Sequence, residues 1–196
     1  KSAPAAYPVF FRSYSRKKSN SRRENWSEVN ERNLNGLKEL GSLSDEELNL
    51  MREMQSNQKA QPSGRWLWIG GTPWINKNQN FSGAYNCTST NLIDWEAFAL
   101  MMDLAMMGCG TGAIIEPHFI DKLPVVLNKL NIKSVSEVGI TQKKDRQEKS
   151  SLEIKDNNVY IKVGDSRRGW VDSYKYLLEA SSNEMLENDL NVHINL

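Results

Sequence analysis

Cysteine and histidine are scarce in this sequence, with only two of each among 196 residues. Cys87 and Cys109 are too few for a disulfide scaffold, so a reducing, cytoplasmic setting fits the chain best. They do not form a C-x-x-C pair, and His118 and His193 stand in unrelated segments. The sequence therefore predicts no metal site.

Long apolar runs and an excess of charge are also lacking. No apolar run approaches the roughly 18 residues of a membrane-spanning helix. The N-terminal segment has no long apolar stretch of the kind found in secretory signals. The formal net charge is +1, so no global basic field indicates a nucleic-acid partner. We expect neither DNA nor membrane contact.

Three segments differ in residue pattern. Residues 1–23 are basic and serine-rich without an apolar period, which predicts an irregular, solvated arm; contact with phosphate groups is the alternative. Residues 24–60 are predicted to form a helical hairpin. Apolar residues recur at helical spacing up to Leu40, and Ser44 with Glu47 makes a capping box for the second helix. Residues 61–196 mix short strands with helices, which indicates an α/β fold, or α+β as a fragment.

Turn residues and caps divide this third segment into elements. The short apolar run Trp66–Ile69, between glycines and prolines, predicts a buried strand. Asp94 is a good cap for a methionine-rich helix. "SLEIK" and "VYIKV" flank an Asp-Asn-Asn turn and predict a β-hairpin. Asp165 or Ser166 is expected to cap a last helix through Glu179, and the alternation in "LNVHINL" predicts a final strand.

Two features in this segment permit a structural or a functional interpretation. Cys87 stands among polar residues in "NFSGAYNCTSTN", so its thiol is either a reactive group or a small buried side chain. "GCGTGA" follows a helix and precedes a strand, the reverse of the dinucleotide-binding order. Its glycines either cap the helix or let the backbone approach a ligand closely.

Several motifs together resemble one family. "AAYPVFFRSYSR", "PSGRWLWIGGT", "FSGAYNCTSTN", "MMDLAMMGCGTGAIIEP" and "VGDSRRGW" occur in the order found in the N-terminal part of adenosylcobalamin-dependent (class II) ribonucleotide reductases. The residues of these motifs are most similar to those of the monomeric ribonucleoside-triphosphate reductases, of a cyanobacterial-like type. The resemblance implies N-terminal helices followed by the first part of a ten-stranded α/β barrel. It also implies that residues 133–170 are an insertion that builds an effector site.

The resemblance assigns a role to the cysteine. Family members reduce the ribose 2′ position with two cysteines that become a disulfide, and "Tyr85-Asn86-Cys87" matches the position of one of them. Cys87 is therefore the expected reducing thiol. The substrate-binding residues implied by the resemblance are Pro62, Ser63, Asn86, Gly108, Cys109 and Gly110. Cys109 stands where the family often has serine or isoleucine, and it has no expected redox role.

Effector, cofactor and partners follow from the same resemblance. Asp94, Lys143 and Arg146 are the expected contacts of a deoxynucleotide effector. The implied substrate is a ribonucleoside triphosphate, and the implied reductant is of the thioredoxin type. Adenosylcobalamin is expected to bind mainly to a C-terminal part of the enzyme. That remainder, which would also carry the radical cysteine, is an expected partner, so this chain alone is expected to be inactive.

Two other classes of function stay open at this point. One is an autonomous deoxynucleotide-binding regulatory module built on the effector region. The other is an α+β protein with an unrelated structural role. A further expectation is that the strands "RWLWI", "GAYNCTST", "AIIEP" and "VHINL" lack partners in this chain, which would make it a poor monomer.

Overall fold

The computed structural model describes residues 4–137, 139, 141–186 and 189–196. Parts of the predicted arm and of the predicted insertion lie outside these ranges. The chain divides into two compact units, one running to Asn86 and one from Cys87 to Leu196.

The first unit is helical. Its α-helices are α1 (Ala6–Ser13), α2 (Trp26–Leu40), α3 (Asp45–Ser56) and α4 (Gly64–Ile69), and a 3-10 helix spans Asn78–Ala84. The predicted hairpin of α2 and α3 is confirmed. Asn25 and Ser44 each form a complete capping box at the N-terminus of their helix.

The N-terminal arm is not irregular, which corrects the prediction for residues 1–23. It contains α1, followed by a turn in which Lys17 bridges Arg23. Arg23 donates to the carbonyl of Ser15 at 2.8 Å, and the Arg16 guanidinium lies 4.5 Å from the ring centroid of Trp68. The Arg16 and Arg23 side chains therefore fold back onto their own unit. These contacts could not be predicted from the run of basic residues, because each contact joins residues that are not neighbours on a helix.

The segment "RWLWI" is a helix, not the predicted strand. Ser63 caps α4 by accepting a hydrogen bond from the Trp66 amide at 3.2 Å, and Gly70 ends the helix. A short apolar run does not by itself distinguish a strand from a buried helix. Here the serine cap and the glycine stop decide the conformation.

A buried ion pair and a glycine turn fasten α4 to α2. Arg32 contacts both carboxylate oxygens of Glu24, at 2.9 and 3.0 Å, and its guanidinium also donates to the carbonyls of Leu67 and Gly70. Gly71 adopts a positive φ of 66°, and a Cβ there would lie 2.0 Å from the Arg32 carbonyl oxygen. Only glycine fits so close to α2.

The second unit contains both sheets. Its strands are β1 (Cys87–Asn91), β2 (Gly110–Ile114), β3 (Lys129–Val135), β4 (Ser151–Lys155), β5 (Asn158–Lys162) and β6 (Asp189–Asn195). Its helices are α5 (Trp95–Met106), α6 (Pro117–Ile120) and α7 (Arg167–Ser181), with a short 3-10 turn at Lys143–Asp145.

The larger sheet has the order β3-β6-β5-β4. Strands β4 and β5 form the predicted antiparallel hairpin, and β6 runs parallel to both β3 and β5. The final strand was expected to lack partners in this chain, and that expectation is wrong. Its alternation places Leu190 and Val192 in the core with Val159 and Ile161.

The smaller sheet is a βαβ unit. Strands β1 and β2 pair in parallel, with α5 as the connection between them. Asp94 caps α5 as predicted, accepting from the Ala97 amide at 2.8 Å. The α/β fold class is thereby confirmed. The ten-stranded barrel stays a prediction.

Candidate functional site: the thiol strand and its neighbours

Cys87 is the first residue of β1 and is exposed. It lies opposite Gly110 in the parallel register, and Ser89 lies opposite Gly112. Paired positions of parallel strands point to the same face of the sheet. The thiol and the Ser89 hydroxyl therefore share an exposed face, and the residues paired with them on β2, Gly110 and Gly112, carry no side chains.

The glycine turn before β2 is a helix cap. The Gly108 amide donates to Ala105 O at 2.8 Å, and the Cys109 amide donates to Leu104 O at 3.0 Å. With a positive φ of 86° at Gly108, this is the Schellman pattern that closes a helix. Of the two interpretations of this loop, the structure supports the cap directly. A contact between this backbone and a ligand stays a prediction.

Cys109 points away from the exposed thiol. Only 7% of its surface is accessible, and it packs with Leu104 and Met107 at the end of α5. A hydrophobic contact of this kind commonly accompanies the Schellman turn. The absence of a redox role for Cys109 stays a prediction.

The predicted substrate residues of the first unit surround α4. Pro62 is half-buried, and Ser63 is occupied as the α4 cap. Asn86 is exposed, and its amide oxygen accepts from Arg65 Nε at 2.9 Å. Arg65 therefore joins the Pro-Ser-Gly turn to the residue directly before the thiol. Sequence reasoning missed Arg65, because a contact across 21 residues leaves no periodic signal.

The predicted effector residues occupy two places in the second unit. The Asp94 carboxylate is used in capping α5. Lys143 begins the short 3-10 turn, and Arg146 follows this turn directly. Arg146 Nη1 lies 3.0 Å from Asp165 Oδ2, and Arg146 Nε donates to Thr141 O at 3.0 Å. The partner Asp165 was predicted only as a possible helix cap.

Hydroxyl groups tie the loop before β4 to the start of α7. Ser166 caps α7 by accepting from the Gly169 amide at 2.9 Å, and its hydroxyl also lies 2.7 Å from the Glu148 carbonyl oxygen. Ser150 donates to Gly169 O at 2.6 Å. A Cβ on Gly164 would lie 2.3 Å from Glu148 O. The glycines of "VGDSRRGW" thus permit a close approach of loop and helix.

The described residues contain no group of three or more acidic, cysteine or histidine side chains that would hold a metal ion. No helix in the described ranges is long and apolar enough to cross a membrane.

The comparisons with known proteins point to one kind of enzyme. The chain is 27% identical over 188 residues to an adenosylcobalamin-dependent ribonucleoside-triphosphate reductase of Mycobacterium phage D29, covering 90% of this chain and 26% of that protein. The predicted resemblance is confirmed. A reductase of the same name from Lactobacillus helveticus is 26% identical over 208 residues, covering 84% of this chain and 27% of that protein. No protein-family model matches the chain.

A comparison with solved structures agrees with these sequence similarities. A crystal structure of a B-12-dependent (class II) ribonucleotide reductase superposes with a TM-score of 0.54 at 22% identity, covering 98% of this chain and 32% of that one. The chain thus has the fold of part of a class II reductase. It spans about a quarter of the length of the curated relatives it matches.

Proposed function

We propose that this chain is the N-terminal part of an adenosylcobalamin-dependent ribonucleoside-triphosphate reductase and that Cys87 is one of its two reducing thiols. The observation that carries the proposal is the exposed position of Cys87 at the start of β1, opposite Gly110. The similarity to two reductases over most of the chain supports it. The autonomous regulatory module is less well supported, because both relatives are named as adenosylcobalamin-dependent ribonucleoside-triphosphate reductases.

The proposed reaction exchanges two thiols for one disulfide. Cys87 and a partner cysteine together lose two hydrogen atoms and form an S–S bond. The ribose loses its 2′ hydroxyl as water and gains a C2′–H bond, so the two electrons from the thiols balance the reduction. A thioredoxin-type reductant would then restore the dithiol. The radical cysteine that starts the reaction would come from another part of the enzyme.

The surroundings of Cys87 suit a reducing thiol. Its face of the sheet is open, and the opposite position, Gly110, has no side chain to obstruct a ribose. Cys109 lies in the core and does not compete for the disulfide. Arg65 donates to Asn86, a further proposed neighbour of the substrate. Pro62, Ser63, Gly108, Cys109 and Gly110 remain proposed neighbours of the substrate.

Both histidines of the chain have ring contacts of their own. His193 is stacked on Tyr160 and hydrogen-bonded to Ser134 at 2.8 Å, while His118 lies against Phe119 at a centroid distance of 3.9 Å. Adenosylcobalamin supplies the initiating radical when it is bound. We place its binding residues in the remainder of the proposed enzyme.

The test uses the full-length enzyme that contains this chain. Cys87→Ser should abolish multiple turnover with a thioredoxin-type reductant, whereas Cys109→Ser should retain most of it. Turnover by the Cys87→Ser enzyme at the wild-type rate would reject the assignment of the reducing thiol.

A further inference from the structure

Helix α1 has a face of large apolar side chains that the rest of the chain does not cover. Tyr7, Val9 and Phe11 are 66%, 51% and 38% exposed. None of the eight residues of α1, all of which lie in the described ranges, is buried. So short a helix has little stability in water by itself, because most helical stability in proteins comes from the packing of an apolar face. Helix α1 therefore lacks the cover that a helix of this length needs.

The aromatic rings of this face are ordered against one another. Tyr7 stacks on Phe11 at a centroid distance of 6.3 Å, and Phe10 contacts Phe11 edge-on at 5.1 Å. Phe10 also contacts the Trp26 ring of α2 edge-on at 5.9 Å. These four rings, the aromatic cluster of α1, are thus held to α2 at one end. Side chains that are already ordered lose little conformational entropy when a partner covers them.

An open groove of about 740 Å³ adjoins the aromatic cluster. Leu67 of α4, Gln58 and the α2 cap Asn25 are also part of its lining. No charged side chain is among the described residues that line it. The phosphates of a nucleotide would find no cation in this groove, whereas an apolar protein segment could pack against its rings.

The size of the groove and the length of the relatives favour one occupant, the remainder of the proposed enzyme. The similarity covers 26% and 27% of the two reductases, so most of each relative lies outside it. A helix of eight residues is about 12 Å long, so a groove built on it presents much less than the roughly 800 Å² per partner of a stable interface between separate chains. A segment of the same polypeptide can hold so small a surface, because its effective concentration is high.

We propose that the aromatic cluster of α1 and its groove form the docking surface for an apolar segment of the remainder of the enzyme. The segment covers the exposed rings of Tyr7 and Phe11 and supplies the packing that α1 lacks within this chain. The contact joins the helical unit to a part of the enzyme outside the present sequence. The inference rests on the proposed reductase function, because that function supplies the remainder.

Hydrogen exchange in the full-length enzyme tests whether α1 is covered. The α1 amides should exchange at least about 100-fold more slowly than those of an unstructured peptide. Tyr7→Asp should reduce this protection at least about tenfold, although an acidic residue in the first turn favours the helix itself. The matched control is Leu50→Asp, since Leu50 of α3 is 55% exposed and is not among the described residues that line the groove. This control should leave the exchange of α1 unchanged.

Cross-linking in the same full-length enzyme identifies the occupant. The photoreactive amino acid benzoylphenylalanine replaces Phe11, because it keeps an aromatic ring at a position that lines the groove. Irradiation should join it to a peptide of the same polypeptide that lies outside this 196-residue sequence, as mapped by mass spectrometry. The same amino acid at position 50 should give far less of this product.

The outcomes separate the docking surface from the proposed function. Unprotected α1 amides, or protection that Tyr7→Asp does not reduce, would overturn the docking surface. Cross-links that join two polypeptides would assign the groove to a second copy, and cross-links confined to the present sequence would show that the chain covers it alone. Either result would also overturn the proposal. Turnover unaffected by Cys87→Ser would instead overturn the proposed function, whatever the state of α1.

Discussion

Cys87 and Gly110 lie side by side in the parallel pair β1–β2, and the residue before Gly110 is the only other cysteine. Successive residues along an extended segment point to opposite sides of a sheet. The Cys109 thiol therefore faces the end of α5, while the Cys87 thiol faces outward. Although Cys87 and Cys109 lie near each other in the fold, their sulfur atoms are not placed to form a disulfide bond.

The first prediction concerns the reactivity of the two thiols. Under native conditions Cys87 should react with iodoacetamide at least about ten times faster than Cys109, because Cys109 must wait for local opening. Mild oxidation should give no Cys87–Cys109 disulfide, as measured by mass spectrometry of the digested protein. In denaturant the two rates should converge. An intramolecular disulfide in the native chain would contradict the arrangement of β1 and β2.

The second prediction concerns the ion pair inside the first unit. The side chains of Arg32 and Glu24 are 12% and 11% exposed, so removal of one leaves the other charge largely buried. Arg32→Met should lower the free energy of unfolding by about 3 kcal/mol. The control is Lys59→Met, whose partner Glu53 is 59% exposed and whose loss should change stability by less than about 1 kcal/mol. Urea unfolding followed by circular dichroism measures both, and equal effects would refute the importance of the buried pair.

A third prediction follows from the turn after α4. Gly71→Ala places a methyl group 2.0 Å from the Arg32 carbonyl oxygen and forces a positive φ on alanine. We expect a loss of about 3 kcal/mol in the free energy of unfolding. Gly41→Ala is the matched control, since the nearest atom to its added Cβ would be 3.6 Å away. A Gly71→Ala chain as stable as the Gly41→Ala chain would show that the turn relaxes easily.

Elements with local signals were the ones that could be predicted from the sequence. The capping box at Ser44, the cap at Asp94 and the turn at Asp156 each act within a few residues. Each therefore leaves a pattern in a short window. The hairpin of β4 and β5 and the last helix were found for this reason.

Elements that depend on distant partners were missed or misassigned. The run Trp66–Ile69 was misassigned for a different reason: its cap at Ser63 and its stop at Gly70 are local, but its short apolar pattern fits a strand equally well. Strand β3 was not predicted, since most of its side chains are exposed and its hydrogen-bonding partner β6 follows about sixty residues later. The pairs Arg146–Asp165 and Arg167–Asp103 were missed on the same grounds. The spacing of charged residues along the sequence does not identify their ion-pair partners.

The candidate site was predictable in part, and by resemblance rather than by pattern. From the sequence pattern alone, Cys87 was either a small buried side chain or a reactive thiol. The motif match selected the strand position, and the structure places an exposed thiol there. Arg65 was not found by either route, because its contact with Asn86 depends on how α4 packs.

The fourth prediction concerns the stability of α3 in acid. Hydrogen bonding from the Ser44 backbone amide and hydroxyl lowers the pKa of Glu47 below its ordinary value. A carboxyl group whose pKa is lower in the folded state stabilises the fold above its unfolded pKa, and this contribution is lost as the pH falls through the folded pKa. The loss should therefore occur below about pH 4.5.

Glu47→Gln should flatten the acid limb of the unfolding curve, because glutamine keeps a capping contact but does not titrate. Glu46→Gln, in the same helical turn, removes a carboxylate outside the capping box and serves as the control. The measurement is the midpoint of urea unfolding between about pH 3 and pH 7, an interval that runs from partly protonated to fully ionised carboxylates. Equal curves for the two variants would reject a role for the box.

The fifth prediction is a difference in protection between the two sheets of the second unit. Strand β6 is hydrogen-bonded to β3 on one side and to β5 on the other, and Leu190 and Val192 are fully buried. In the described residues β1 pairs only with β2, and a two-stranded sheet has little stability of its own.

Native-state hydrogen exchange of this chain should therefore show β6 amides at least about 100-fold slower than those of β1. Strand β4 provides the control within the larger sheet, because it is an edge strand whose burial is low throughout. Its amides should exchange at intermediate rates. Equal exchange in β1 and β6 would mean that both sheets open in a single cooperative step, and the smaller sheet would then be as stable as the larger one.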